Sequence, residues 1–348
     1  MIRIGVVGLG KMGISHLSII GAHPRTEVGA VCDSVGYLLD VLAKYTGVAT
    51  YTNWQRMFQS ADLDAVIIST PTAAHAEVAR AALSAGLHVF CEKPLTLSAT
   101  ESEELASMAA DAGLVAQVGY HNRFVATFAE VKRLIDANAI GHVTHALAES
   151  YGPVVLQPTG RTWRSKRAAG GGCLYDYAAH PIDLLQWLFG EPSAVRGTIL
   201  SSIFSTDTDD EVYSTLEFAD GVSAQLSVSW SDESHRKMTT RLSVWGTLGT
   251  ITADRQALTV YRRGAAPALD GYGPGWSSRN ITELTPSVGF YLRGEEYSAQ
   301  LDAFVAAIEN PRSRSDMRNT FESAAATDRI IDRLLRDAGD RSPAATTA

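Results

Sequence analysis

Five short apolar runs punctuate the first 120 residues: "IRIGVVG", "EVGAVCD", "DAVIIST", "HVFCEKP" and "LVAQVGY". Ala/Leu-rich stretches with helical spacing lie between them. A strand that is apolar throughout, rather than alternating, is covered on both faces, and strands joined by helices run parallel. The pattern therefore predicts an α/β, doubly wound parallel sheet with helices on both sides. Local signals agree. "AEVARAALSAG" ends on Gly86, a residue suited to a left-handed C-cap. Ser98, with Glu101 three residues later, predicts a capping box.

After about residue 140 the period changes to two. Val212, Ser214, Leu216 and Phe218 alternate with Tyr213, Thr215 and Glu217, and Asp220-Gly221 supplies a hairpin turn. The return strand then presents Val222, Ala224, Leu226, Val228 and Trp230. "RLSVWGTLGTITAD" predicts a second hairpin around Gly246–Gly249. A helix near "AAHPIDLLQWLFG" precedes these strands, and amphipathic helices over roughly 295–309 and 316–337 follow them. Residues 264–287, rich in Gly and Pro, read as a long surface loop. The expected division is a parallel-sheet domain over 1–122, an α+β domain with a large, mainly antiparallel open sheet over 123–338, and a flexible tail over 339–348.

Composition limits the function classes. At 348 residues the chain exceeds one ordinary core, in line with two domains. Its 45% hydrophobic and 20% charged residues are those of a globular protein. A net charge of −8 argues against nucleic-acid or anionic-membrane partners. No apolar run reaches the roughly 18 residues of a spanning helix, and the N-terminus lacks a signal-peptide pattern. Cys32, Cys91 and Cys173 lie far apart, so neither a disulfide framework nor a metal site is expected. A reducing cytoplasm fits.

"VVGLGKMG" places Gly8, Gly10 and Gly13 directly after the first strand. The first glycine allows a tight turn, the second close approach of a phosphate, and the third close packing of helix on strand. Loop residues Leu9, Lys11 and Met12 complete a cradle at a helix N-terminus, where amides and the helix dipole face an anion. Asp33 ends the second strand 20 residues after Gly13, placed to accept from ribose hydroxyls and to repel a 2′-phosphate. NAD is therefore expected as cofactor, with NADP disfavoured. Ser69, Thr70 and Pro71 end the third run on the ligand-bearing edge of the sheet, and His75 follows them. Their alternative role is to start the next helix.

"HVFCEKPLTL" runs from a buried strand into Glu92-Lys93-Pro94. Charges are seldom buried without partners, and this strand ends on the same edge, so Glu92 and Lys93 join the expected cofactor side. In the second half "GGGCLYDYAAHPID" sets three glycines before Asp176 and His180, whose i, i+4 spacing puts them on one helix face. Helix capping by Asp176 and packing of His180 are the structural alternatives. Oxidising a secondary alcohol needs a proton acceptor, which a histidine can be near neutral pH. It also needs positive charge for the forming alkoxide, which a lysine supplies. Polar groups that could receive the substrate are Tyr120, Asn122, Arg123, Trp163, Arg164 and His235, with Trp230 a further candidate.

Taken together, "GLGKMG", Asp33, "STPTAAH", "EKPL", "GYHNRF", the "GGGCLYDYAAHPID" segment and the closing "DAFVAAIENP" resemble the Gfo/Idh/MocA family of glucose–fructose oxidoreductase, inositol dehydrogenase and their relatives. The resemblance covers nearly the whole chain. It implies a dinucleotide-binding first domain and a second domain for substrate binding and oligomerisation. The family's catalytic Lys falls on Lys93, and the Asp and His of its D-x-x-x-H motif fall on Asp176 and His180. It also implies a constrained, often cis, Lys93–Pro94 bond, and a homo-oligomer, dimer or tetramer, through the open sheet. Ala178 stands where relatives often carry glycine. The implied activity is NAD(P)-dependent dehydrogenation of a sugar or cyclic polyol. A nucleotide-sugar oxidoreductase, with Arg236 and Lys237 on a diphosphate, and a catalytically silent NAD-binding sensor are the alternatives.

Overall fold

A computed structural model describes residues 1–158 and 162–341. Contacts divide the chain into two units, Met1–Phe124 with Pro286–Ala325, and Val125–Thr285 with the chain from Ala326 on.

In the first unit, strands β1 (Ile2–Val7), β2 (Thr26–Cys32), β3 (Ala49–Tyr51), β4 (Ala65–Ile68), β5 (His88–Cys91) and β6 (Ala116–Val118) form a parallel sheet in the order 3-2-1-4-5-6. The intervening helices are α1 (Lys11–Ala22), α2 (Gly36–Thr46), α3 (Trp54–Ser60), α4 (His75–Ser84) and α5 (Ala99–Asp111). This is the expected doubly wound sheet, with one strand more than the five apolar runs. Strand β3 is three residues long and lies at the edge, half-buried, so it has no apolar run to announce it. Strand β1 lies where the chain order reverses, between β2 and β4, which is where such sheets open a ligand crevice at their carboxyl edge. Ser98 is the N-cap residue of α5, yet its side chain makes no cap bond and the expected capping box does not form.

The second unit begins with α6 (Ala126–Asp136) and holds an eight-stranded sheet. Its strands are β7 (Val143–Tyr151), β8 (Ala194–Ser201), β9 (Glu211–Glu217), β10 (Ser223–Ser229), β11 (Arg241–Gly246), β12 (Gly249–Asp254), β13 (Ala257–Arg262) and β14 (Gly275–Asn280). All neighbours are antiparallel except β7 and β10. The alternation read over 212–218 is real: Val212, Ser214 and Leu216 are buried and their neighbours are not. Helices α6 and α7 (Ala179–Phe189) pack on the sheet.

Two expectations are corrected. Residues 264–287 are not all loop, because β14 pairs with β13 along its whole length and continues into α8 (Ile281–Leu284). Pairing is made by backbone amides, which the Gly/Pro-rich composition does not reveal. The run 123–338 is not continuous either. Helix α9 (Glu295–Glu309) lays Leu301, Phe304 and Val305 into the core of the first unit, beside Ile4, Ile19 and Phe90. Burial of that apolar stripe carries 286–325 back to the first unit. The last helix, α10 (Phe321–Arg341), includes the start of the expected tail, and the tail's residues 342–348 lie outside the described residues.

Candidate active site

The three loop glycines of the first unit differ in what surrounds them. A Cβ on Gly8 would lie 2.7 Å from the Ser69 carbonyl carbon, and its φ is +91°. A Cβ on Gly13 would lie 1.9 Å from the Gly8 carbonyl oxygen. Among the described residues nothing lies within 4 Å of that position on Gly10. The first and third glycines close the turn, and the second leaves open space at the head of α1, whose N-cap Gly10 has no side-chain cap. That space suits a pyrophosphate on free helix amides.

Asp33 is fixed between two amides, accepting from Leu9 N–H at 2.6 Å and Val35 N–H at 2.8 Å. It does not cap α2, whose N-cap is Val35. Asp33 therefore joins the glycine loop to the end of β2, where a ribose would be met. The Ser69 hydroxyl donates to the Gly8 carbonyl at 2.8 Å and so fastens the loop from below. Among the described residues the buried Thr70 hydroxyl has no hydrogen-bond partner, and a ligand hydroxyl or phosphate suits it. Pro71 leads into the turn before α4. Lys11 is exposed and Met12 half-buried at the start of α1. These residues fit a dinucleotide.

His75 departs from expectation. It is buried, with Nδ1 3.0 Å from the Pro94 carbonyl and Nε2 2.9 Å from the Thr70 carbonyl. Burial pushes its imidazole below the usual value, against the pull of both carbonyls and of Glu92. It therefore ties the end of β4 to the Lys93–Pro94 turn, instead of offering a nitrogen to a ligand. The Lys93–Pro94 bond is cis. Lys93 is the second residue past the end of β5 and is half-buried. Glu92 has Oε1 2.7 Å from Nε2 of His16, a buried residue of α1 that the sequence reading passed over. Tyr120 and Asn122 are buried just after β6. Among the described residues neither amide atom of Asn122 has a hydrogen-bond partner, which suits a polar ligand group. Arg123 turns its guanidinium to the Arg318 carbonyl, which makes it a tie within the unit.

In the second unit, a π-type turn over Leu174–Ala178 leads into α7. Asp176 lies inside that turn, its N–H donating to the Gly172 carbonyl at 3.0 Å, so it is not a helix cap. His180 follows in the first turn of α7, 3% exposed. The glycines before it permit close packing. A Cβ on Gly171 would lie 2.2 Å from the Arg164 carbonyl oxygen, and one on Gly172 2.7 Å from Oδ1 of Asp209. Arg164 Nε donates to Asp176 Oδ2 at 2.9 Å while its guanidinium stacks 4.6 Å from the Trp163 ring. Ala178 is helical, with φ −67° and ψ −26°, so the missing glycine costs the backbone nothing.

Asp209 is a residue the sequence reading missed. It accepts from the Leu174 amide at 2.6 Å and from the Cys173 amide through its carbonyl at 2.9 Å, fixing the start of the Asp176–His180 helix. Burial pushes its carboxyl up, against the Leu174 bond. In the sequence "TDTDDE" looks like a solvated acidic run, and only its position beside a buried strand hints otherwise. Two of the substrate candidates are engaged within the unit. Trp230 is fully buried with its indole N–H on Asp210 at 2.7 Å, and His235 stacks on Tyr151 at 5.8 Å with Asp232 3.6 Å away.

Residues 2–120 match the model of an oxidoreductase family with an NAD-binding Rossmann fold, and residues 128–252 match the GFO/IDH/MocA C-terminal domain. The dTDP-3,4-didehydro-2,6-dideoxy-alpha-D-glucose 3-reductase of Streptomyces violaceoruber is 31% identical over 73% of both chains. The chain belongs to the GFO/IDH/MocA oxidoreductase family. The inositol 2-dehydrogenase of Rhizobium meliloti is 28% identical over 98% of both chains. The solved levoglucosan dehydrogenase in complex with NADH and levoglucosan has the same fold, with a TM-score of 0.85 and 24% identity over 98% of each chain. As a member of this family the protein is an NAD-binding oxidoreductase. Among the described residues no helix is long and apolar enough to cross a membrane.

Proposed function

We propose that the protein is an NAD-dependent dehydrogenase that oxidises a secondary alcohol of a sugar or an inositol-like cyclic polyol, or runs the same reaction in reverse. The observation that carries this reading is the joint presence, in a member of this family, of the open glycine loop at Gly10 and of Lys93, Asp176 and His180. The names of its relatives give the substrate class. When bound along Gly8–Gly13, Asp33 and Thr70, NAD supplies the hydride acceptor. His180 takes the hydroxyl proton as the carbinol C–H bond is lost as hydride, leaving a ketone. Lys93 holds the same oxygen while negative charge builds on it. Asp176, itself steadied by Arg164, orients the histidine or a neighbouring hydroxyl. Tyr120, Asn122 and Trp163 are the proposed substrate contacts, with Asn122 supported by its partnerless amide.

A cytoplasmic homo-oligomer completes the proposal. One row across the second unit's sheet runs His145, Trp245, Thr250, Tyr261 and Trp276, each opposite the next. Trp276 is 71% exposed, and such an aromatic-rich row suits a second copy of the chain. Sedimentation of wild type against Trp276→Ser tests it, and a wild-type monomer contradicts it. The activity is tested by NADH fluorescence against inositols, aldoses and sugar nucleotides. Turnover of an inositol or aldose supports the reading. Tight NAD binding without turnover of any panel member refutes it.

A further inference from the structure

Glu92 is a carboxylate at the buried end of a strand, 13% exposed at its side chain, and both its oxygens are held within its own unit. Oε1 is 2.7 Å from Nε2 of His16, and Oε2 accepts from the N–H of Lys93 at 3.2 Å. The His16 ring is set edge-on to Phe90 at 5.1 Å, and Phe90 is set edge-on to Phe304 of α9 at 5.9 Å, so an apolar wall fixes the ring. Opposite, Gly119 makes room. A Cβ there would lie 3.1 Å from three atoms of the Glu92 carboxyl group. On the far side of Lys93, the Pro94 carbonyl is held by His75. The lysine is thus bracketed: its predecessor is gripped through a side chain and its successor through a carbonyl.

We propose that Glu92, gripped by His16, is the positioning carboxylate of Lys93, fixing the lysine's backbone through its amide and keeping a negative charge beside its ammonium. This rests on the dehydrogenase reading above and adds a role for two residues outside the reacting set. His16 stands on α1, which the glycine loop leads into, so the helix proposed to receive the dinucleotide also sets the lysine. A buried carboxyl tends to become neutral, but the His16 bond, the charges of His16 and Lys93 and the Lys93 amide outweigh burial and hold Glu92 below the usual carboxylate range. The charged or titratable groups that face it are His16 from α1, His75 from α4 and Lys93 itself.

The test compares Glu92→Gln, Glu92→Asp and His16→Gln with wild type, using the best substrate of the panel at saturation. Thermal melts and NAD titration by fluorescence quenching report folding and cofactor affinity. Glu92→Gln is expected to lower kcat on the order of 10- to 100-fold, with NAD affinity within about threefold of wild type. The alkaline limb of its kcat–pH profile should move to lower pH, because the substitution removes the negative charge beside the ammonium. Glu92→Asp keeps the charge but loses reach, so kcat should fall while that limb stays in place. His16→Gln should lower kcat less than Glu92→Gln does. Wild-type kcat and profile in Glu92→Gln overturn the inference, as does a loss confined to NAD affinity, which would make Glu92 a cofactor ligand. If Lys93→Met abolishes turnover while Glu92→Gln does not, the dehydrogenase reading stands and the inference alone fails. A readout independent of turnover is acetylation of Lys93 by acetic anhydride at pH 8, followed by mass spectrometry. The lysine should be labelled faster in Glu92→Gln than in wild type, and equal labelling contradicts the proposal even if no panel substrate turns over.

Discussion

Two glycine-rich turns lie at the heads of two helices in this chain, and they do opposite things. In Gly8–Gly13 the outer glycines are packed shut and the middle one, Gly10, faces open space. In Gly170–Gly172 the described surroundings of Gly171 and Gly172 are closed by the unit's own Arg164 carbonyl and Asp209 carboxylate. The first turn therefore offers its backbone to a ligand. The second uses glycine to bring the chain close to itself, so that the following helix can present the side chains of Asp176 and His180. Equal composition at two helix starts thus does not mean equal function, and what decides is whether the missing Cβ would meet a ligand or the protein.

The strongest break of this comparison is His180→Ala. If the second turn exists to present reacting side chains, kcat should fall by about 10²–10⁴-fold while NAD affinity, a property of the first turn, stays near wild type. Steady-state kinetics and NAD titration check both halves, and a His180→Ala enzyme with near-normal kcat would leave Lys93 as the candidate base. Replacing Asp33 by Ala should change the preference for NADP over NAD by on the order of tenfold or more. NAD affinity itself should also fall, because the Leu9 and Val35 amides lose their shared acceptor. A wild type that already prefers NADP would contradict the role given to Asp33.

A paired substitution sharpens the contrast further. Gly10→Ala should leave the melting temperature unchanged and weaken NAD binding, because only a ligand meets the new methyl group. Gly172→Ala should do the reverse. Its φ of +118° and the 2.7 Å approach of Asp209 predict a loss of about 1–3 kcal/mol, read from denaturant melts, with NAD affinity kept. The same outcome for both variants would erase the distinction.

The smallest expected effect is one of pH on stability. The folded value of His75 is below 6.5, so the unfolded chain binds more protons as pH falls through that value. Stability from this group is fully present above about pH 6.5 and is lost below it, by at most about 1.4 kcal/mol per pH unit. Glu92, also depressed, adds a further loss only below about pH 4.5. Melts between pH 7.5 and 5.5 should therefore slope downward in wild type and slope less in His75→Asn.

Much of the first turn was legible because its chemistry is local: three glycines, a strand before and a helix after fix both backbone and ligand. Lys93 was legible for a similar reason, as a charge set between a buried strand and a proline. Asp209 was not, because a carboxylate that caps a turn 35 residues earlier leaves no periodic trace. Strand β14 was hidden because pairing is a backbone property. Helix α9 was legible as a helix over 295–309, but not its place in the first unit, because nothing near residue 300 announces that Gln117 donates to the Gln300 carbonyl. His16 and His75 show the same limit. Each lies on a helix with the right spacing to be buried, but their partners, Glu92 and the Pro94 carbonyl, are distant in sequence.

The central claim is transfer of a hydride from a carbinol carbon, and it can be weighed directly. The panel's best substrate, carrying deuterium on the carbon that bears the reacting hydroxyl, is incubated with the enzyme and NAD, and the reduced cofactor is examined by mass spectrometry. The account predicts reduced nicotinamide one mass unit heavier, formed by wild type and lost in the Lys93→Met and His180→Ala variants. Reduced cofactor without deuterium, or equal deuterium transfer by all three proteins, would contradict it.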